Sequence, residues 1–435
     1  MQYYSLNKKS VLANFKEVVI SGQAPDGGLY FPRYIPKLDI DLTKNLRSYT
    51  KEEIAFKVMK PYVGNSLKDE VLFSICENAV NFDFPLVEVN RNISSLELFH
   101  GPTLAFKDVG SKFMSGCLSH FIRAQSWKVT VLVATSGDTG GAVASSFLNV
   151  PGVDVIILYP KGKVSKLQEK QLTTLGNNVT ALEVNGTFDD CQRMVKQAFA
   201  DEDLNNKLQL ASANSINVAR WLPQQFYYFY ALQQWDHDEP PVISVPCGNF
   251  GNICAGLLAK VSGLPVKHFI AACNSNDVFT QYLHSGVFAP EPAKQTLSNA
   301  MDVGNPSNFL RVLRLFDDCH LCVRENVSSF SINDRVTLNT IEKVYRERNY
   351  LLDPHGAVAY YLLEKHVENH LDSKGIFLET AHPAKFDHVI REALGLSVEM
   401  PEKLNELMDR EGQSVQMEPD FNALKEFMFY ARELV

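Results

Sequence analysis

The chain has 435 residues, 45% of them hydrophobic and 21% charged, with a formal net charge of −8 at pH 7. That balance is typical of a globular protein long enough for two domains, or three, at ~150 residues each. It argues against general nucleic-acid or membrane-surface binding, so an anionic ligand would need a local cluster of positive groups.

The first nine residues carry no apolar run after their lysines, and no stretch is long enough to span a bilayer, so a cytoplasmic protein is expected. Residues 24–32 are rich in turn formers, and helices are predicted over 52–63 and 68–80. Residues 95–98 read as a short strand, after which Pro102 breaks the chain. Phe106, Val109, Phe113, Met114, Cys117, Leu118 and Phe121 then recur at helical spacing, which puts Lys107 in the first turn of a helix. From residue 96 strands and helices alternate. Strands are predicted at 129–134, 153–159, 178–184 and 209–213, and helices at 142–148, 164–175, 189–200 and 219–233. This alternation predicts a parallel sheet flanked by helices. Residues 236–241 form a polar, proline-rich break; beyond it strands at 242–245 and 266–272 enclose a helix at 253–261. Helices at 331–348 and 357–369, a strand at 375–378 and a charged, partly helical tail from 401 complete the pattern.

Four stretches carry chemistry. The helix dipole disfavours a cation at the position of Lys107 and favours a neutral amine, the form a nucleophilic or Schiff-base lysine needs. The alternative is a surface lysine offset by Asp108. Residues 245–252, Val-Pro-Cys-Gly-Asn-Phe-Gly-Asn, follow a strand and open a helix, a place where glycines let backbone N–H groups converge on a phosphate. The spacing is neither that of a dinucleotide fingerprint nor that of a P-loop. Residues 136–140, Ser-Gly-Asp-Thr-Gly, share that setting and suit a carboxylate held by backbone donors and the hydroxyls of Ser136 and Thr139. Asn214–Arg220 offers a helix cap, amides and a guanidinium able to reach a phosphate bidentately. Two anion loops and an amine at a helix start imply a site between sheet ends. Of the eight cysteines only Cys319 and Cys322 have ligand-like spacing, with no second pair to match; no metal is expected, and they read as buried thiols.

Together these stretches, with 353–359 (Asp-Pro-His-Gly-Ala-Val-Ala) and 380–386 (Thr-Ala-His-Pro-Ala-Lys-Phe), resemble the threonine synthases of the longer bacterial and fungal subclass. Those enzymes fall within the tryptophan-synthase-β-like, fold type II pyridoxal-phosphate enzymes. The resemblance implies an α/β fold: two parallel-sheet domains with pyridoxal 5′-phosphate in the cleft between them, plus N- and C-terminal helical additions. The expected division is 1–95, an N-terminal segment of the large domain; 96–235, a smaller domain carrying the cofactor lysine; 236–400, the large domain; and 401–435, a helical tail. Residue by residue, Lys107 matches the cofactor-linked lysine and Phe106 packs beneath it. Gly248, Asn249, Phe250, Gly251 and Asn252 match the cofactor-phosphate loop, and Thr380 the hydroxyl beside the pyridine nitrogen. Ser136, Asp138 and Thr139 match the loop near the substrate carboxylate and the ring, where shorter relatives carry Asn in place of Asp138. Ser215, Asn217 and Arg220 match a substrate-phosphate site. The implied reaction takes O-phospho-L-homoserine and water to L-threonine and phosphate, in a monomer or weak homodimer. The alternatives are a phospho-lyase or dehydratase giving 2-oxobutanoate, and a non-catalytic protein on this fold.

Overall fold

The computed structural model describes residues 1–433 except 124 and 126. An antiparallel sheet of β1 (Gln2–Ser5), β2 (Ala13–Asn14) and β3 (Tyr30–Pro32) opens the chain. Helices Lys51–Val63 and Asp69–Ala79 follow, the first opened by a Thr50–Glu53 capping box. Next come β4 (Leu86–Asn90) and β5 (Ile93–Glu97), an antiparallel pair.

The alternating region forms β6 (Val129–Ala134), β7 (Val153–Pro160), β8 (Val179–Val184) and β9 (Gln209–Ser212). Beyond the polar break lie β10 (Val242–Pro246), β11 (His268–Cys273), β12 (Val327–Ser331) and β13 (Gly375–Glu379), and the tail adds β14 (Val415–Met417). Two larger sheets result. One runs β12-β11-β10-β13-β5-β4 and the other β14-β8-β7-β6-β9; every pairing in them is parallel except β4 with β5. β6 is buried along its whole length, as a near-continuous Val/Leu/Ala run covered by helices on both faces should be.

Sheet membership departs from the expected division in two places. β5 spans the boundary drawn at 95/96 and pairs with β13, so it belongs to the sheet of the larger unit. The tail is not only helical: β14 extends the smaller sheet beside β8, and Leu424 and Met428 of helix Phe421–Glu433 are buried in the core with Met194 and Val195. Residues 434 and 435 of that tail lie outside the described residues. The smaller unit therefore takes its edge strand from the far end of the chain.

Local differences have local causes. The helix expected at 219–233 is interrupted at Pro223 into Val218–Trp221, a 3₁₀ turn and Phe226–Gln234, since proline cannot donate to the preceding turn. Short elements too weakly periodic to read also appear, among them β12 and helices Glu202–Lys207 and Val278–Ser285. Cys319 and Cys322 are linked as a disulfide and are only partly buried, so the reading of them as free buried thiols is corrected. Among the described residues no helix is long and apolar enough to cross a membrane.

Candidate active site

Lys107 is the first residue of helix Lys107–Ile122. The segment before it is laced to the end of β13: Leu98 N–H donates to Glu379 O at 2.9 Å, Phe106 N–H to Thr380 O at 2.9 Å and His382 N–H to Leu104 O at 3.1 Å. That ladder sets Lys107 beside Thr380, although they are far apart in sequence. The turn into the helix is tight enough to hold Leu104 at φ 56°, a conformation non-glycine residues rarely adopt. Asp108 stabilises it, accepting from Thr103 N–H at 2.9 Å and from the Thr103 hydroxyl at 2.6 Å. Asp108 is thus spent on Thr103 and does not pair with Lys107, so the reading as an offset surface lysine falls away.

The Lys107 Nζ sits 5.4 Å from the centroid of the Phe106 ring. Burial lowers the Lys107 pKa; the Asp138 carboxylate works against this, and the Lys385 and Arg220 cations add to it. The environment favours a neutral amine.

Asp138 lies in the first turn of helix Asp138–Phe147, which begins earlier than expected and draws Thr139 and Gly140 into it. Its Oδ1 accepts from Lys385 Nζ at 2.7 Å and from Gln168 Nε2 at 2.9 Å. Burial would raise its pKa, yet Lys385 first and Lys107 next hold the carboxyl well below the usual range. Gly137 is required here: at φ 134°, a Cβ would lie 2.4 Å from the Gln168 side chain. Thr135 Oγ1 closes the loop, accepting from Gly137 N–H at 2.9 Å and Gly140 N–H at 2.8 Å. Ser136 lines a cleft of about 1030 Å³ between residues 160–167 of the smaller unit and residues 293–302 and 384–391 of the larger one.

The glycine loop joins β10 to helix Gly251–Ser262. Phe250 takes a left-handed conformation at φ 59°, and a Cβ on Gly248 would lie 2.7 Å from Met301 Cα. The loop meets the 214–220 stretch directly. Ser215 Oγ accepts from Asn249 Nδ2 at 2.9 Å and from Asn308 Nδ2 at 3.1 Å. With both acceptor sites used, the hydroxyl keeps one proton to donate. Asn252 accepts from the Tyr228 hydroxyl at 2.9 Å, while its Nδ2 is buried without a partner among the described residues. A buried orphan donor beside a converging loop is a place for an acceptor to bind.

The structure therefore gathers Phe106, Lys107, Asp138, Arg220 and Thr380 into one neighbourhood, with Ser136 and Thr139 on the turn bearing Asp138. It places Ser215 on the 248–252 loop. Asn217 behaves otherwise: its amide donates to Val19 O at 3.0 Å and Ser212 O at 3.1 Å and accepts from Ala219 N–H at 3.0 Å. That side chain is a saturated, fully buried helix cap, so the expected substrate contact is corrected. Arg220 is buried, donates to Ala213 O and leaves Nε without a partner; desolvation brings it down to about 10, still a cation at neutral pH.

Several residues escaped the sequence reading. Lys385 was within a quoted motif but had no signal of its own. Asn308 and Gln168 lie far from the stretches they complete. His355 bonds Asp353 through Nδ1 and accepts from Ala300 N–H through Nε2 at 3.3 Å, steadying the turn against which Gly248 packs.

A buried amine at a helix start and a glycine-rich strand-to-helix loop, carried on two units built around mainly parallel sheets, are features expected of a pyridoxal-phosphate enzyme. A family model described as "Pyridoxal-phosphate dependent enzyme" matches residues 86–378. Models described as "Threonine synthase N terminus" and "Threonine synthase, C-terminal" match residues 2–80 and 356–428. The threonine synthase of Buchnera aphidicola subsp. Baizongia pistaciae is 42% identical over 431 residues, covering 98% of this chain and 99% of that protein. The crystal structure of threonine synthase from Escherichia coli superposes with a TM-score of 0.92 at 41% identity, covering 99% of this chain and 100% of that one. A pyridoxal-phosphate-bound threonine synthase from Brucella melitensis gives 0.91 at 33% identity, covering 99% of each chain. This chain belongs to the threonine synthase family, and its cofactor is pyridoxal 5′-phosphate.

Proposed function

We propose that the chain converts O-phospho-L-homoserine and water to L-threonine and phosphate, with Lys107 as the residue that carries the cofactor and moves protons at the substrate. The observation that carries this reading is the Lys107 amine, hemmed in at a helix start, its pKa lowered by burial and two nearby cations against the pull of Asp138. The residues fit the cofactor. The orphan Asn252 Nδ2, the spare proton of Ser215 and the start of helix Gly251–Ser262 supply donors for a phosphate. Thr380, whose hydroxyl has no hydrogen-bond partner among the described residues, supplies a neutral group for a ring nitrogen.

When bound, pyridoxal phosphate supplies the electron sink that makes protons at Cα and Cβ removable. Lys107 would take the Cα proton of the substrate as a free base. Ser136 and Thr139, at the start of helix Asp138–Phe147, hold the substrate carboxylate. Arg220 stabilises charge developing on the departing phosphate, its unpartnered Nε being the donor in reserve. Asn217 has no part in this, and Ser215 serves the 248–252 loop instead. On this reading a small-molecule substrate is handled by a monomer or weak homodimer in the cytoplasm.

Product analysis of the cofactor-loaded enzyme with O-phospho-L-homoserine tests the reading. Threonine and phosphate in equal amounts are expected. Phosphate with 2-oxobutanoate would replace the synthase with a lyase.

A further inference from the structure

Lys385 is a lysine with no access to solvent, a rare condition that needs a cause. It rides on the 3₁₀ turn Pro383–Phe386, opened by His382, whose Nδ1 accepts from Ala384 N–H at 3.1 Å. Its ammonium is fixed twice, by Asp138 Oδ1 at 2.7 Å and by Thr103 O at 2.8 Å. Thr103 is itself pinned by Asp108 and by Gln171, whose Nε2 donates to the same carbonyl at 3.0 Å. The position is over-determined from both sides.

The charges around Lys107 give this arrangement a consequence. Asp138 faces it from helix Asp138–Phe147, Lys385 from the 3₁₀ turn and Arg220 from helix Val218–Trp221. On its own helix Asp108 is occupied by Thr103, and Tyr227 is occupied by the Phe106 carbonyl. Asp138 is therefore the anion Lys107 would pair with were it unclaimed. Yet among the described residues no ion pair joins them, and the carboxylate is bonded to Lys385 and Gln168.

We propose that Lys385 is a positioning residue: by claiming the Asp138 carboxylate it keeps that anion from capturing Lys107, leaving the amine free to react. This deepens the proposed function and rests on Lys107 being the cofactor-linked residue.

The test is the pH dependence of cofactor capture by the apoprotein, read by borohydride reduction and peptide mapping. Lys385→Met should shift the capture midpoint up by about one pH unit, lowering the rate about tenfold at a fixed pH on the acid limb. Asp138→Asn, which leaves Lys385 charged and unpaired, should shift it down. The double variant Asp138→Asn/Lys385→Met should return it to within about twofold of the parent rate, because the pair is again without net charge. An unchanged profile in a folded Lys385→Met overturns the proposal, even if that variant melts earlier. If the single lysine variant does not fold, the downward shift of Asp138→Asn and the restoration in the double variant decide the matter, and absence of either overturns it. Capture mapped to a residue other than Lys107 in the parent protein would instead remove the reading beneath it.

Discussion

Arg311 lies far from the reacting atoms yet holds the candidate site together, and replacing it with methionine exposes that role. The side chain is fully buried, stacks on Trp221 at 4.3 Å and has no carboxylate partner among the described residues. Its guanidinium uses all its N–H groups: Nε and Nη2 donate to Tyr30 O at 3.3 and 3.0 Å, Nη1 to Ser215 O at 3.1 Å and Asn308 Oδ1 at 2.8 Å, and Nη2 to Ile216 O at 2.6 Å. One side chain thus ties the N-terminal sheet, the 214–220 stretch and helix Phe309–Leu315 into one block. Arg311→Met strands three carbonyls and an amide oxygen, a cost of about 4 kcal/mol at roughly 1 kcal/mol each. The loss of the stacked cation adds to this, while relief of burying an unpaired charge offsets it. For a cooperative unit of roughly 250 residues, a net loss of about 3 kcal/mol corresponds to a Tm about 6 °C lower, read by circular dichroism. Release of the Ser215 carbonyl should also weaken cofactor binding about tenfold, roughly 1.4 kcal/mol. A melting temperature within 2 °C of the parent's, on the order of measurement scatter for a smaller change, would refute the reasoning and show that desolvation cancels the bonds.

Gly248→Ala must push a methyl to 2.7 Å from Met301 Cα and 2.8 Å from Ala300 O, both backbone atoms, so the loop has to move. Cofactor affinity in a fluorescence titration should fall about tenfold or more, a loss of ~1.4 kcal/mol. Thr380→Val removes a hydroxyl without changing shape, so the enzyme should keep its cofactor and lose turnover; unchanged kcat would assign that hydroxyl no role. Because the Lys107 pKa is lowered, the neutral amine persists further into acid than in an ordinary lysine. The acid limb of cofactor capture should accordingly lie below the usual lysine range, and a limb near the ordinary lysine value would contradict the environment described for it.

The sequence carried the site's skeleton because each anion-binding stretch is local: strand, glycine-rich corner, helix start. Lys107, the 136–140 turn and the 248–252 loop could be read for that reason, as could the buried Val/Leu/Ala run of β6. What it did not carry is where side chains spend their hydrogen bonds. Asn217 looks like an exposed amide near a guanidinium, and only the fold reveals Val19 and Ser212 as its partners. Lys385 reads as an ordinary lysine until the 3₁₀ turn buries it against Asp138. β14 was illegible because three residues at a sheet edge have too little periodicity, and their partner β8 lies far back in the chain.

The most direct measurement is borohydride reduction of the cofactor-loaded enzyme followed by peptide mapping, with Lys107→Ala treated alongside. The site has two enclosed amines, Lys107 and Lys385, so the result discriminates between named atoms. The account predicts the label on Lys107 alone, and no label and no threonine from the variant. Label on Lys385, or full turnover by Lys107→Ala, would contradict it.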